Sequence, residues 1–144
     1  MQLKTIVLIA KEYGPPSVLE FASRELPPLQ PGVARIRVSA AGVNPIDARR
    51  MTGEFRSSAL PQSFGTEFAG TIIQLNPGEK GWKPGDEALG SGQGFTHATV
   101  IDVPLENLVR RPQNMDWAVA GSIAGAAQTA TTVLDELGPM NSLL

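Results

Sequence analysis

Gly65-Thr66-Glu67-Phe68-Ala69-Gly70 is the stretch around which the rest of this chain is organised. A second block, Ala40-Ala41-Gly42-Val43-Asn44-Pro45-Ile46-Asp47, has to be considered together with it. Both blocks combine glycines with polar side chains at points where an apolar strand could have continued. Glycine lets the backbone bend sharply or lets another group approach closely, and a polar residue beside such a turn is placed to face a cleft. The two blocks therefore predict one wall of a functional site.

The composition indicates one ordinary folded domain. The chain has 144 residues, of which 42% are apolar and 18% are charged, enough apolar material for a core and too little charge for a disordered chain. The absence of cysteine excludes disulfides, thiolate nucleophiles and cysteine-ligated zinc. A single histidine, His97, cannot build a multi-histidine metal site.

Charge and hydropathy bear on the partners. The net charge is −2 and no run of basic residues is present, so we expect no nucleic-acid partner. The apolar run over residues 5–10 is too short for a signal-peptide core or a membrane span. The sequence therefore predicts a cytoplasmic protein with no membrane partner.

The turn-forming residues predict a β-rich fold. With 15 glycines and 12 prolines, the chain should consist of many short elements, which favours strands over a helical bundle. Period-two alternation and β-branched runs predict strands at residues 5–9, 18–25, 33–38, 71–75, 87–89, 95–103 and 108–109.

Two helical regions are predicted. Asn44 as N-cap, Pro45 at the first position and Asp47 three residues after the cap predict a short helix over 46–51, ended near Gly53. Residues 54–64 then form a surface loop. Near the C-terminus Asn114 is expected to cap a helix over 115–119, and a second Ala-rich helix follows over 123–137. Residues 142–144 look like the start of another strand.

The chain resembles the medium-chain dehydrogenase/reductase superfamily. The resemblance rests on the blocks 40–47 and 65–70, on Gly85-Asp86-Glu87-Ala88-Leu89-Gly90 and on the Ala-rich stretch 124–138. It is closest to the zinc-independent branch of the superfamily, the quinone oxidoreductases and enoyl reductases. It implies an N-terminal GroES-like β-barrel with short helices. It also implies a C-terminal Rossmann domain that binds NADPH, and reduction of quinones or α,β-unsaturated carbonyls in the cleft between the two. Zinc-dependent members carry a cysteine at the position of Asn44 and a histidine at that of Thr66, so a zinc-free mechanism is implied.

The resemblance also predicts a division of the chain. Residues 1–122 would be the GroES-like catalytic domain, and 123–144 a linking helix and the start of a truncated cofactor-binding domain. We expect no Rossmann domain here, because residues 90–94 match no dinucleotide fingerprint. The chain alone should then bind NADPH weakly and be inactive. The rival interpretation is a truncated non-catalytic binding or regulatory module of GroES-like fold, which could pair with a full-length relative through the exposed helix, and a co-chaperonin is a third. If helix 123–137 normally packs on the missing domain, we expect it to self-associate or to be poorly ordered here.

Three side chains are the catalytic candidates. By resemblance, Asn44 lies near the nicotinamide ribose and the substrate, where its amide could donate to a carbonyl; the alternative is a helix cap without a chemical role. Asp47 either anchors a hydrogen-bond network around the cleft or only completes a capping box. Thr66 either offers its hydroxyl to substrate or cofactor or is an ordinary strand residue.

The remaining candidates have weaker support. Thr129 lies where the family often approaches the cofactor, or else its hydroxyl bonds to its own helix backbone. Glu67 is expected to be structural and to need an arginine or amide partner, with Arg49 and Arg50 as possibilities. His97 is expected to be a strand residue without a catalytic role. Gly121 and Gly125 are expected to allow close packing, and Arg110 and Arg111 are expected to be solvated charges.

Overall fold

A computed structural model of the chain describes residues 3–56, 58–92 and 94–138. Within these residues the chain forms eight strands, two α-helices and two short 3-10 turns. The strands are β1 (Lys4–Ala10), β2 (Leu19–Glu25), β3 (Val33–Ala41), β4 (Gln62–Ser63), β5 (Glu67–Gln74), β6 (Glu87–Ser91), β7 (Val100–Pro104) and β8 (Leu108–Arg110). The helices are α1 (Pro45–Thr52) and α2 (Trp117–Leu137).

The strands form two antiparallel sheets. The smaller sheet has the order β2-β1-β4, and the larger has the order β7-β3-β5-β6-β8. Helix α1 follows β3 directly, and α2 packs against β5, β3 and β6. The predicted β-rich α+β class with a C-terminal helix is therefore confirmed.

Side-chain alternation along β5 separates the two faces of the larger sheet. Phe68 and Ile72 point into the main core, where they meet buried residues of β3, β6, β7 and β8. Ala69 points to the other face and packs against Ala120 of α2. Glu67 lies two residues before Ala69, so its side chain also faces α2.

Helix α2 approaches the sheet closely because it has glycine at the contact. A Cβ on Gly121 would lie only 2.7 Å from the Cβ of Ala40 at the end of β3. The expectation that Gly121 serves close packing is confirmed. The outer part of the helix, residues 126–137, is exposed on all sides.

The observed helix α2 corrects the prediction of two helical pieces. It is continuous from Trp117, and its N-cap is Asp116, whose carboxylate accepts a hydrogen bond from the N–H of Ala118. Asn114 is not the cap. The helix continues through Gly121 because packing against Ala40 offsets the low helix propensity of glycine.

Three strand predictions are also corrected. β5 begins at Glu67 rather than at Thr71, because β3 and β6 pair with the small residues Ala69 and Gly70. Strand β4 occupies part of the predicted loop 54–64, and residues 95–99 precede β7 without being strand. The prediction for residues 142–144 falls outside the described residues.

One buried ion pair crosses the larger sheet. Arg35 of β3 lies opposite Asp102 of β7 and Gln74 of β5. Its guanidinium donates to both carboxylate oxygens of Asp102 at 2.8 and 2.9 Å and to Gln74 Oε1 at 3.1 Å. The hydrogen bond to Asp102 outweighs desolvation and raises the pKa of Arg35 above its ordinary value. This arginine therefore stays charged inside the sheet.

Removing the partner of Arg35 should destabilise the fold strongly. Asp102→Ala leaves a buried cation without its carboxylate, and we expect the free energy of unfolding to fall by about 3 kcal/mol. Denaturant unfolding measures the change. The control is Glu20→Ala, which breaks the exposed Lys11–Glu20 pair and should cost less than about 1 kcal/mol. Equal losses in the two variants would show that the buried pair has no special role.

Candidate active site

The register of β3 and β5 brings the two sequence blocks together. The strands are antiparallel, and Ala41 pairs with Phe68. Beyond this pair, Gly42 and Asn44 run alongside Glu67 and Thr66, because the two chains continue in opposite directions. The blocks predicted to form one wall are therefore adjacent in space.

Helix α1 begins and ends as its sequence predicts. Asn44 has an extended backbone (φ −123, ψ 159), Pro45 is the first helical residue, and Gly53 ends the helix with a left-handed φ of 84. The Asp47 carboxylate accepts a hydrogen bond from the Asn44 N–H at 2.9 Å. This bond fixes the start of the helix beside Thr66 and Glu67.

Asp47 also ties the helix to the glycine block. Its second oxygen, Oδ1, accepts the backbone N–H of Gly65 at 2.9 Å, and the residue is only 6% exposed. Gly65 has a positive φ of 96, and a Cβ there would overlap Thr96 and His97. One buried carboxylate thus connects the first turn of α1 to a turn that only glycine can form.

Asn44 and Asp47 form a capping box at the start of α1, and the side-chain nitrogen of Asn44 reaches β5 and the residue before it. This nitrogen, Nδ2, donates to Thr66 Oγ1 at 3.2 Å and to Glu67 Oε1 at 2.8 Å. Both hydrogens of this amide are therefore engaged. Among the described residues the Thr66 hydroxyl accepts from Asn44 but has no acceptor for its own hydrogen. The group left to donate to a ligand is thus the hydroxyl of Thr66.

Glu67 finds amide partners, as expected, but not the arginines proposed for it. Its Oε1 accepts from Asn44, and its Oε2 accepts the backbone N–H of Gly125 in α2 at 2.8 Å. Arg49 is exposed, and Arg50 instead reaches Ser58 Oγ at 3.3 Å. The arginines are not available because α1 presents them away from β5.

Two further candidates lie outside this cluster of Asn44, Asp47, Thr66 and Glu67. Thr129 is exposed on α2, and its hydroxyl donates to the Gly125 carbonyl at 2.9 Å, which is the bond expected for a threonine inside a helix. His97 is half-buried and not part of a strand; its Nε2 lies 2.8 Å from the Gly42 carbonyl, to which it donates. The histidine thereby holds the backbone of block 40–47 in place at Gly42.

Arg110 is exposed, as the sequence predicted, but Arg111 is not a solvated charge. Arg111 pairs with Glu87 and stacks over Trp117, with 4.3 Å to the ring centroid. Arg110 pairs with Asp86 at 3.0 Å. Desolvation acts to raise the pKa of Asp86, but hydrogen bonds from the Lys83 N–H and from Arg110 outweigh it, so this pKa lies below its ordinary value. The pairs form because β8 lies beside β6.

An apolar cavity of about 280 Å³ adjoins the cluster. It lies between α1 and the start of β2, and it shares Asp47 with the cluster. Its walls include Leu19, Val43, Met51 and Phe64. The cavity can therefore hold an uncharged ring or chain beside polar residues that are already satisfied.

Within residues 3–56, 58–92 and 94–138 no group of three His, Asp or Glu side chains is placed to hold a metal ion. The sequence contains no G-x-G-x-x-G spacing, which is the pattern that binds a dinucleotide phosphate. The free hydrogen-bond donor of the site, the Thr66 hydroxyl, suits a carbonyl oxygen. In the part of the chain that is described, neither helix has the length and hydropathy needed to cross a membrane.

Comparison with known proteins agrees with this fold. Residues 30–137 match the family described as alcohol dehydrogenase GroES-like domain, and the chain belongs to that family. Its homologues are quinone, enoyl and alkenal oxidoreductases of the medium-chain dehydrogenase/reductase superfamily. The GroES-like fold and the superfamily expected from the sequence are both confirmed.

Three relatives illustrate the similarity. The chain is 30% identical over 143 residues to a 2-methylene-furan-3-one reductase of Solanum lycopersicum, covering 88% of this chain and 36% of the relative. It is 31% identical over 134 residues to a chloroplastic NADPH-dependent alkenal/one oxidoreductase of Arabidopsis thaliana, and this match covers 85% of this chain and 35% of the relative. The quinone oxidoreductase of Coxiella burnetii has the same fold, with a TM-score of 0.84 at 22% identity. The superposition covers 93% of this chain and 45% of that protein.

These coverages show that the chain spans little more than a third of the length of the curated relatives it matches.

Sequence reasoning missed the part that Glu67 plays in the cluster. Gly42 runs beside Glu67, and a Cβ on Gly42 would overlap the Glu67 carboxylate. Antiparallel alignment of the two blocks could have shown this proximity. Gly125 could not have been found in that way, because its contact depends on how α2 packs.

The double acceptor role of Asp47 makes it sensitive to an isosteric change. Asp47→Asn replaces one oxygen with an NH₂ group that faces a backbone N–H, and we expect a loss of about 1–3 kcal/mol in stability. Faster amide exchange at Gly65 should accompany it. The control, Asp116→Asn, keeps a good N-cap at an exposed position and should be almost neutral. If both variants are neutral, Asp47 does not tie α1 to Gly65.

Proposed function

We propose that this chain is the catalytic-domain portion of an NADPH-dependent, zinc-free oxidoreductase that reduces quinones or α,β-unsaturated carbonyls by hydride transfer. One observation carries the proposal: the Asn44 side-chain nitrogen donates a hydrogen bond to the Thr66 hydroxyl. The hydroxyl's own hydrogen is then left to donate to a ligand. The tomato relative's name specifies a furanone reductase, and the Arabidopsis name specifies NADPH and alkenals or alkenones. Both substrate types carry a carbonyl oxygen that such a donor suits.

The zinc-free mechanism rests on Asn44 and Thr66. By resemblance these residues stand where zinc-dependent members place a cysteine and a histidine. Here an amide nitrogen and a hydroxyl oxygen bond to each other at 3.2 Å, and an amide nitrogen is no metal ligand. The neutral donor would take over the task of polarising the substrate carbonyl.

The chemistry follows from charge development on that carbonyl. NADPH, when bound, supplies the hydride. Reduction of a bound substrate would build up negative charge on its carbonyl oxygen. The hydrogen bond from Thr66 then strengthens and lowers the barrier. Asn44 holds the hydroxyl in position, and water supplies the proton that completes the reduction.

The substrate's body would be accommodated by the apolar cavity beside α1. The cavity shares Asp47 with the site, and its volume of about 280 Å³ is close to that of typical small-ligand pockets. A planar quinone or an alkenone with an alkyl chain has the apolar surface that this lining suits.

The domain division stays a proposal. We assign residues 1–122 to the catalytic domain and 123–144 to a linking segment, although α2 runs through this boundary as one helix. Thr129 remains the proposed cofactor contact on that segment, since it is exposed. The cytoplasm remains the proposed compartment.

The decisive experiment is an assay of the protein at the length its gene encodes. NADPH oxidation is followed at saturating cofactor with a panel of 1,4-quinones, alkenones and saturated ketones. Reduction of quinones or alkenones, unaffected by a strong chelator, supports the proposal. Activity that the chelator abolishes, or no turnover with either class, overturns it.

Thr66 gives the sharpest variant. Thr66→Val removes the hydroxyl while keeping the shape, and we expect kcat to fall by about 10²-fold, the loss typical of one donor to a developing oxyanion. Thr66→Ser should keep most of the activity. The control is Thr132→Val, whose hydroxyl bonds only to the Gln128 carbonyl in α2. A Thr66→Val enzyme with normal kcat would remove Thr66 from the mechanism.

The 144-residue chain alone should bind NADPH weakly, because it contains no glycine-rich phosphate-binding fingerprint. Titration calorimetry with this chain measures the affinity. Micromolar binding would contradict the expectation, and the chain would then be a candidate enzyme by itself.

The rival function, a binding module, has one observation in its favour. Val133, Leu134 and Leu137 of α2 are about half exposed and lie on one side of the helix. We expect the chain to self-associate through residues 123–137. Sedimentation should show a dimer that Leu134→Glu dissociates, while Glu136→Gln, a charge change on the same helix, leaves it intact. A monomeric wild-type chain at high concentration would contradict this expectation.

A further inference from the structure

Glu67 is a buried carboxylate that has no cation beside it among the described residues. It is 3% exposed, and the salt bridges found in residues 3–56, 58–92 and 94–138 involve other acids. Burying an anion is costly unless its oxygens are bonded. Here each oxygen is bonded to one N–H: Oε1 to Asn44 Nδ2 and Oε2 to the Gly125 amide, both at 2.8 Å.

Two glycines make room for this carboxylate. A Cβ on Gly42 would overlap Oε1, and a Cβ on Gly125 would lie 3.3 Å from Oε2. Neither glycine has a positive φ, so neither is needed for a turn. Space for the carboxylate accounts for both, although glycine inside α2 lowers its helix propensity.

The carboxylate also decides which way the Asn44 amide points. An ionised carboxylate can only accept hydrogen bonds, so it requires the NH₂ side of the amide and excludes the carbonyl side. The second hydrogen on the same nitrogen then reaches Thr66 Oγ1 at 3.2 Å. Because Thr66 accepts this hydrogen, its own hydrogen is free to point outward.

We propose that Glu67 is a positioning residue that fixes the direction of the hydrogen-bond chain Glu67–Asn44–Thr66 and couples it to helix α2 at Gly125. The coupling to Asn44 and α2 stands by itself. The consequence for donation by Thr66 rests on the proposed function.

The link to α2 is unusual because Gly125 lies inside that helix. An interior N–H normally bonds only to the carbonyl four residues earlier, yet this one lies 2.8 Å from the carboxylate of another element. A shift of α2 along the sheet would therefore move Glu67, and with it the Asn44 amide.

Glu67→Gln tests the proposal at constant shape. A glutamine side chain can accept on its oxygen only, so its NH₂ group must face one of the two N–H donors. Where the NH₂ group faces Gly125, the Gly125 amide should exchange about tenfold faster in this 144-residue chain, as for the loss of one hydrogen bond. Where it faces Asn44, the Asn44 side-chain amide should turn over so that its oxygen accepts. We also expect the side-chain amide resonances of Asn44 to shift. The matched control is Glu87→Gln on β6, a half-exposed carboxylate paired with Arg111.

A milder variant covers the case that Glu67→Gln does not fold. Gly125→Ala keeps the carboxylate and adds a methyl group 3.3 Å from Oε2. It should also shift the Asn44 side-chain resonances, although alanine favours the helix itself. Unchanged Asn44 resonances and unchanged exchange at residue 125, relative to Glu87→Gln, would overturn the coupling.

Kinetics of the protein at its natural length separate this proposal from the function. If the wild type reduces quinones or alkenones, Glu67→Gln should lower kcat by about tenfold at nearly constant KM, since only the transition-state donor is disturbed. A normal kcat with altered Asn44 resonances would overturn the role assigned to Thr66. If the wild type is inactive, the proposed function fails, while the exchange and resonance data still decide whether Glu67 couples Asn44 to α2.

Discussion

The pairing of Ala41 with Phe68 is the contact on which the site depends. Because β3 and β5 are antiparallel, this single register places the residues after β3 beside those before and at the start of β5. A slip by one residue would turn Glu67 to the core face and Phe68 towards α2. The buried Phe68 makes such a slip costly, since its ring lies fully inside the main core. An apolar side chain thereby secures the geometry of its polar neighbours.

Two buried carboxylates then hold the site, and both do so through N–H groups rather than through cations. Asp47 binds the backbone of Asn44 and Gly65, and Glu67 binds the side chain of Asn44 and the backbone of Gly125. Asn44 is the residue common to both. Its main chain is fixed by one acid and its side chain by the other, so little freedom is left for its amide to rotate. Such rigidity suits a group that has to hold another in position.

The sequence predicts local features well and long-range contacts poorly. The cap at Asn44, the proline after it and the left-handed Gly53 are determined by neighbouring residues, and all three were predictable. The partner of Glu67 was not, because the choice between an arginine and an amide depends on the direction in which α1 presents Arg50. Similarly, the sequence predicted separate helices over 115–119 and 123–137, but tertiary contact between Gly121 and Ala40 keeps α2 continuous. The extent of β5 was underestimated because Ala69 and Gly70 have weak strand propensity, and their pairing comes from both neighbouring strands.

The two glycines around Glu67 have a consequence for the evolution of this site. Their lack of a side chain is useful only while a carboxylate occupies the space between β5 and α2. A related chain that replaces Glu67 with a smaller residue would open a gap, which methyl groups at positions 42 and 125 could fill. A chain that keeps the acid has to keep glycine at position 42, while at position 125 a methyl group would make a tight contact with the carboxylate. The three positions should therefore change together across descendants of this fold, although two of them lie far apart in sequence.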